Sequence, residues 1–141
     1  MQAGVLSGAG FLGDDERPLA EIVAADRATL EQAGLTVHDV ADLLEHLHEV
    51  ADRGFGASVA IAGGRVKVWI QEVMGRIPCP YACGFRAHKA VVTVSAAAGE
   101  FQFTPLSAHL IREHGFFEGK GSPFRIEPEE LVALFRVVCG E

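Results

Sequence analysis

Three cysteines, one tryptophan, one tyrosine and two methionines in 141 residues leave little room for several common designs. Three thiols cannot build the disulfide framework of a small secreted scaffold. No apolar run approaches the roughly 18–20 residues of a membrane span, so no membrane is expected. Residues 1–13 are small and apolar with no basic residue ahead of them, a poor signal peptide. The expected compartment is the cytoplasm, where a close Cys pair holds metal more often than it forms a disulfide. Positive charge is also scarce: 12 Lys and Arg stand against 19 Asp and Glu. That excludes a chain-wide non-specific nucleic-acid binder. Apolar residues at 49% exclude a wholly disordered chain.

The charge is unevenly spread. Residues 1–64 carry −8, residues 65–126 carry +4 and residues 127–141 carry −3. The basic segment holds Arg65, Lys67, Arg86, Lys89, Arg112, Lys120 and Arg125. It is the expected surface for a nucleic acid, an acidic protein or an anionic ligand. Of this set Arg86, Lys89, Arg112, Lys120 and Arg125, with Ser122, are the candidate anion-binding residues.

Two of the three cysteines fall in Cys79-Pro80-Tyr81-Ala82-Cys83-Gly84, a turn rich in Pro and Gly. Downstream, His109 and His114 lie on a stretch that reads as a helix closing at Gly115. Thiols with three residues between them and imidazoles with four between them can each reach one point. Two thiolates and two imidazoles suit tetrahedral Zn²⁺. Ideal helix geometry sets side chains at 109 and 114 about 140° apart, so the last turn is expected to loosen and let the rings converge. Four protein ligands close a zinc site and make it structural. His88 is an alternative ligand. If one position stayed open, Glu113 could serve as a general base of a small zinc-dependent hydrolase.

The order of Cys pair, hairpin, helix and His pair resembles the two-Cys, two-His zinc finger over residues 79–114. The resemblance implies a ββα unit around Zn²⁺. Twenty-five residues separate Cys83 from His109, against roughly a dozen in DNA-reading fingers. The unit is therefore expected to be built into a larger fold, and its length speaks against reading a major groove.

The rest supplies the frame. Asp14 to Pro18 opens a first helix, with Leu19, Ile22, Val23 and Leu30 as its apolar stripe and Gly34 as its stop. Thr36 and Asp39 cap a second helix, with Val37, Val40, Leu43, Leu44, Leu47 and Val50 on one face. Its other face bears Asp39, Asp42, Glu45, Glu49 and Asp52. That acidity opposes a DNA-reading role and suits a protein partner. His38, His46 and His48 are expected to be ordinary surface or half-buried histidines.

Residues 57–62 and 65–70 read as strands across a two-residue Gly63-Gly64 turn. Residues 90–94 and 101–103 read as a second pair, and Thr104-Pro105 opens the His-bearing helix. The Gly-rich loop 116–126 includes Phe116, Phe117 and Phe124, expected to pin it to the core. Pro128 to Cys139 reads as a closing helix. Cys139 is expected to be a core or terminal thiol. The predicted architecture is a single α+β domain: a helical hairpin over 14–54, a β-hairpin over 57–73, a zinc-binding unit over 79–115, the loop 116–126 and a C-terminal helix over 128–139.

Overall fold

The computed structural model describes residues 16–79, 81, 83–97, 99–118 and 124–139. Residues 1–15 and the Gly-Lys-Gly-Ser-Pro stretch 119–123, with Lys120 and Ser122, lie outside the described residues. The fold is α+β, as the periodicities predict. Helices α1 (Leu19–Gln32) and α2 (Val37–Arg53) precede strands β1 (Val59–Ile61), β2 (Val66–Pro78), β3 (Arg86–Ala96) and β4 (Gly99–Phe103); α3 (Pro105–His114) and α4 (Pro128–Val138) follow. The strands form one antiparallel sheet in chain order. No helix among the described residues is long and apolar enough to cross a membrane.

Helix α2 begins as its sequence dictates. The Asp39 N–H donates to Thr36 Oγ1 at 3.2 Å, and the Thr36 N–H donates to Asp39 Oδ2 at 2.9 Å. This reciprocal cap satisfies two backbone donors that the first turn would otherwise leave open. All six apolar positions of its stripe are buried. Burying each of Leu43, Leu44 and Leu47 contributes about 1.5–3 kcal/mol. They pack on Val66, Val68, Ile70, Val92 and Val94, the inward positions of β2 and β3, and on Phe103 of β4.

Three local expectations are corrected. The β1–β2 connection is a 3-10 turn over Ala62–Gly64, not a two-residue loop. Ala62, Gly63 and Gly64 all have positive φ, and Arg65 closes the turn by donating its N–H to the Ala62 carbonyl at 3.3 Å. Strand β2 does not stop near residue 70. It runs to Pro78 and pairs with β3 down to Pro78↔Arg86, across an irregularity between Glu72 and Arg76. Gly75, at φ 105°, sits in that irregularity, a backbone conformation glycine adopts without steric cost. The Cys turn is therefore the tip of the long β2–β3 hairpin, continuous with the first hairpin rather than the start of a separate unit. Finally, α1 and α2 follow one another closely, but α2 packs chiefly on α3 and α1 on α4.

The core has two parts. The larger lies between α2, α4 and the sheet. The smaller gathers Ile22, Cys79, Ala87, Leu106, Leu110 and Phe116 around the hairpin tip, with Leu19, Val23, Ile77 and Tyr81 at its margin. This small cluster is what the hydrophobic effect alone supplies to hold the tip on α3.

Candidate metal centre

Residues far apart in sequence arrive at one point here. The ligand atoms of Cys79, Cys83, His109 and His114 all lie within 4.8 Å of one another. Cys79 Sγ is 3.5 Å from His114 Nε2, and Cys83 Sγ is 3.3 Å from His109 Nε2. Each thiol thus meets one imidazole. With Zn–S near 2.3 Å and Zn–N near 2.0–2.1 Å, a tetrahedral centre sets S···N edges at about 3.6 Å and S···S edges at about 3.8 Å. The two S···N separations, 3.5 and 3.3 Å, lie within about 0.3 Å of that edge length. With an N···N edge of about 3.3 Å, the widest separation exceeds a tetrahedral edge by at most about 1.5 Å.

The tip is shaped by local bonds. The Cys79 N–H donates to the Phe85 carbonyl at 2.9 Å and closes the hairpin end. Gly84 takes φ 91°, a value glycine adopts without steric cost. Helix α3 presents the imidazoles from a capped frame: Pro105 occupies its first turn, and the Thr104 N–H donates to Ser107 Oγ at 3.1 Å. Its last turn does not loosen as expected. The Gly115 N–H still donates to the Ile111 carbonyl at 3.0 Å, with Gly115 in the left-handed region at φ 64°. The rings converge through side-chain reach, to 5.2 Å between centroids and 76° between planes. A Cβ at Gly115 would approach Arg27 Nη2 to 2.9 Å and Val23 Cγ1 to 3.3 Å, so glycine serves both the turn and the contact with α1.

Two aromatic residues complete the site. The Tyr81 ring stacks on His114 at 4.0 Å and 2°, and the Phe85 ring stacks on His109 at 3.9 Å and 6°. Each imidazole is held flat against a plate from the Cys turn, which fixes its orientation for a metal. Tyr81 also meets Phe116 edge-on at 6.0 Å. Sequence reasoning had not singled out either aromatic. The signal was present: each stands two residues after a cysteine.

Burial sets the protonation states. It pushes the Cys79 thiol up. It pulls His114 down, and it pulls His109 down with help from the neighbouring His114. The Tyr81 phenol is pushed up to about 12 by burial and by Cys79. Both shifts favour the neutral, ligating form of the imidazoles, and the Cys79 thiol would have to give up its proton to ligate a metal.

The remaining candidates are placed as follows. His88 is not at the centre: its Nε2 lies 2.8 Å from Glu72 Oε1 on the exposed face of the hairpin. Strand alternation turns position 88 away from buried Ala87, which faces the cluster. Glu113 is exposed and lines an open cleft of about 530 Å³ with Glu45, Cys83, Phe85, His109, Arg112 and His114. Arg112 is engaged internally: Nη1 donates to Glu45 at 2.6 Å and Nη2 to Asp42, tying α3 to the acidic face of α2. Arg125 is a buried structural cation rather than a surface anion site. Its side chain is 5% exposed and forks onto both Asp26 oxygens at 2.8 and 2.9 Å, with Glu127 alongside at 3.0 Å. Burial works against that charge, but the hydrogen bonds it donates to Asp26 and Glu127 outweigh it and raise the Arg125 pKa. Arg86 and Lys89 stay exposed on β3. Cys139 is exposed and not part of the cluster, and His38, His46 and His48 form no metal-ligand group among the described residues. No known protein family, curated protein or solved structure matches this chain.

Proposed function

We propose that this chain is a zinc-binding accessory or regulatory protein whose Cys₂His₂ centre is structural. The carrying observation is the convergence of Cys79, Cys83, His109 and His114 within 4.8 Å. Zn²⁺ is the metal of choice for two thiolates and two imidazoles in a tetrahedron, having no redox chemistry and no geometric demand beyond four contacts. Such a centre joins the β2–β3 tip to the end of α3 over the small cluster around Leu106, Leu110 and Phe116. Four protein ligands fill the coordination sphere, so function is exercised by binding. With Arg112 and Arg125 engaged by carboxylates, a nucleic acid, acidic protein or anionic ligand would meet Arg65, Lys67, Arg86 and Lys89 on the strands. A protein partner of opposite charge would meet Asp39, Glu49 and Asp52 on α2.

Native mass spectrometry with elemental analysis tests the centre. The expected result is one zinc per chain, lost in Cys83→Ser and kept in His88→Ala. No metal in protein prepared without chelator would overturn the reading.

One observation favours a second reading. The cleft bearing Glu113 opens beside Cys83, His109 and His114, as a hydrolase with a free metal position would require. Cobalt substitution separates the two. A closed centre gives a tetrahedral spectrum unchanged by added anions, and an anion-sensitive spectrum would favour the hydrolase.

A further inference from the structure

The two thiols of the Cys₂His₂ cluster are unequally shielded. Cys79 is 5% exposed within the small core, whereas Cys83 is exposed at the hairpin tip. Cys83 also lines the open cleft of about 530 Å³ that borders His109 and His114. A water molecule takes about 30 Å³ of its liquid, so an oxidant little larger than water, hydrogen peroxide, has free passage to this face of the cluster.

The second sulfur is placed to respond to the first. The Cys79 and Cys83 sulfurs lie within 4.8 Å of each other. A disulfide sets its sulfurs about 2.05 Å apart, so bonding needs a movement of less than about 3 Å. Both residues belong to one hairpin tip, with three residues between them. The burial of Cys79 withholds it from an oxidant in solution and leaves it facing the sulfur beside it. An exposed thiolate with a second thiol in reach is the usual arrangement of a reversibly oxidised cysteine. Cys139, the third thiol, is outside the cluster.

We propose that Cys83 and Cys79 are a peroxide-responsive pair whose oxidation to a disulfide empties the metal centre. The proposal rests on the zinc reading, because a coordinating thiol is held as the thiolate, the form that reacts. The Cys83 sulfur attacks one oxygen of hydrogen peroxide. The O–O bond breaks, hydroxide leaves and Cys83 becomes a sulfenic acid. The Cys79 thiolate then attacks the Cys83 sulfur. An S–S bond forms, the S–O bond breaks and a second hydroxide leaves. The two sulfurs together give up two electrons, and one peroxide takes them. Two imidazoles remain, short of the four donors of a structural zinc site. The tip then rests on α3 through the small cluster around Leu106, Leu110 and Phe116 and the aromatic stacks on His109 and His114.

Treating the zinc-loaded full chain with hydrogen peroxide tests it, with native mass spectrometry counting zinc before and after. The expected result is one zinc lost per peroxide consumed. Trypsin releases residues 77–86, between Arg76 and Arg86, as one peptide carrying both cysteines. That peptide should be lighter by two hydrogens, and a thiol reductant should restore both its mass and the bound zinc. The oxidised protein should lose the zinc-dependent rise in melting midpoint, and Cys139→Ser should respond as wild type does. Zinc retained through the treatment overturns the proposal and leaves the zinc reading standing. So does a product in which Cys83 is carried on to the sulfinic acid, or is joined to the peptide 137–141 through Cys139 rather than to Cys79. A chain that holds no zinc before peroxide is added overturns the zinc reading and this proposal together.

Discussion

Replacing Cys83 by serine separates what the metal contributes from what the polypeptide contributes. Cys83 is exposed at the hairpin tip, whereas Cys79 is buried in the small cluster. In metal-free protein Cys83→Ser removes one sulfur from a solvent-facing turn, a change expected within about 0.5 kcal/mol. On the proposed Cys₂His₂ zinc reading, in zinc-loaded protein it would remove one of four ligands. Zinc that binds only the folded chain stabilises it by about 2.7 kcal/mol at 100 times its dissociation constant and about 4.1 kcal/mol at 1,000 times. For a chain of this size 1 kcal/mol moves the midpoint by about 2–4 °C, and up to about twice that in smaller domains. Wild type is therefore expected to melt roughly 5–16 °C higher with excess zinc than with a chelator. Cys83→Ser should show little of that shift, and the two proteins should melt together in chelator. Thermal unfolding followed by circular dichroism reads all four conditions. Equal zinc shifts in both proteins would refute the assignment of Cys83 as a ligand. A Cys83→Ser protein already much weaker in chelator would show that its thiol acts through packing instead.

Three further perturbations follow from the same geometry. Without metal, stability should peak between about pH 6.5 and 9, the ordinary imidazole and thiol values. The lowered imidazoles lose stability as pH falls below the first value, and the raised Cys79 thiol loses it as pH rises above the second; urea midpoints against pH check this, and a minimum within that window would contradict it. Asp26→Ala removes the buried one of the two carboxylates on the Arg125 guanidinium and leaves Glu127 in place, so it should cost about 1–3 kcal/mol, whereas Asp26→Leu with Arg125→Met should cost less, both read from urea denaturation. Gly115→Ala forces a side chain into the left-handed region against Arg27 and Val23, at about 1–2 kcal/mol for the backbone alone; it should lower both the melting midpoint and the zinc affinity, and an unchanged midpoint would refute the role given to this cap.

The local grammar of the chain was enough to determine its helices. Thr36 and Asp39 cap α2, Pro105 opens α3 and Gly115 closes it, because these depend on backbone groups a few residues apart. The four candidate ligands were legible for a related reason: each pair is local, and thiol and imidazole chemistry does not depend on the fold. Whether the pairs meet was not local. It required β2 to continue past Glu72 to Pro78 and carry the Cys tip to α3, a pairing set by contacts with β3. Charge was the least legible feature. Arg112 and Arg125 look like surface cations in sequence, yet their partners lie 67 and 70 residues away for Arg112 and 99 away, at Asp26, for Arg125. The aromatic plates on the imidazoles are likewise products of packing. The sequence by itself determined which groups could do chemistry; the tertiary structure decided which of them face one another, because only folding brings distant side chains within the few ångströms over which coordination and ion pairing act.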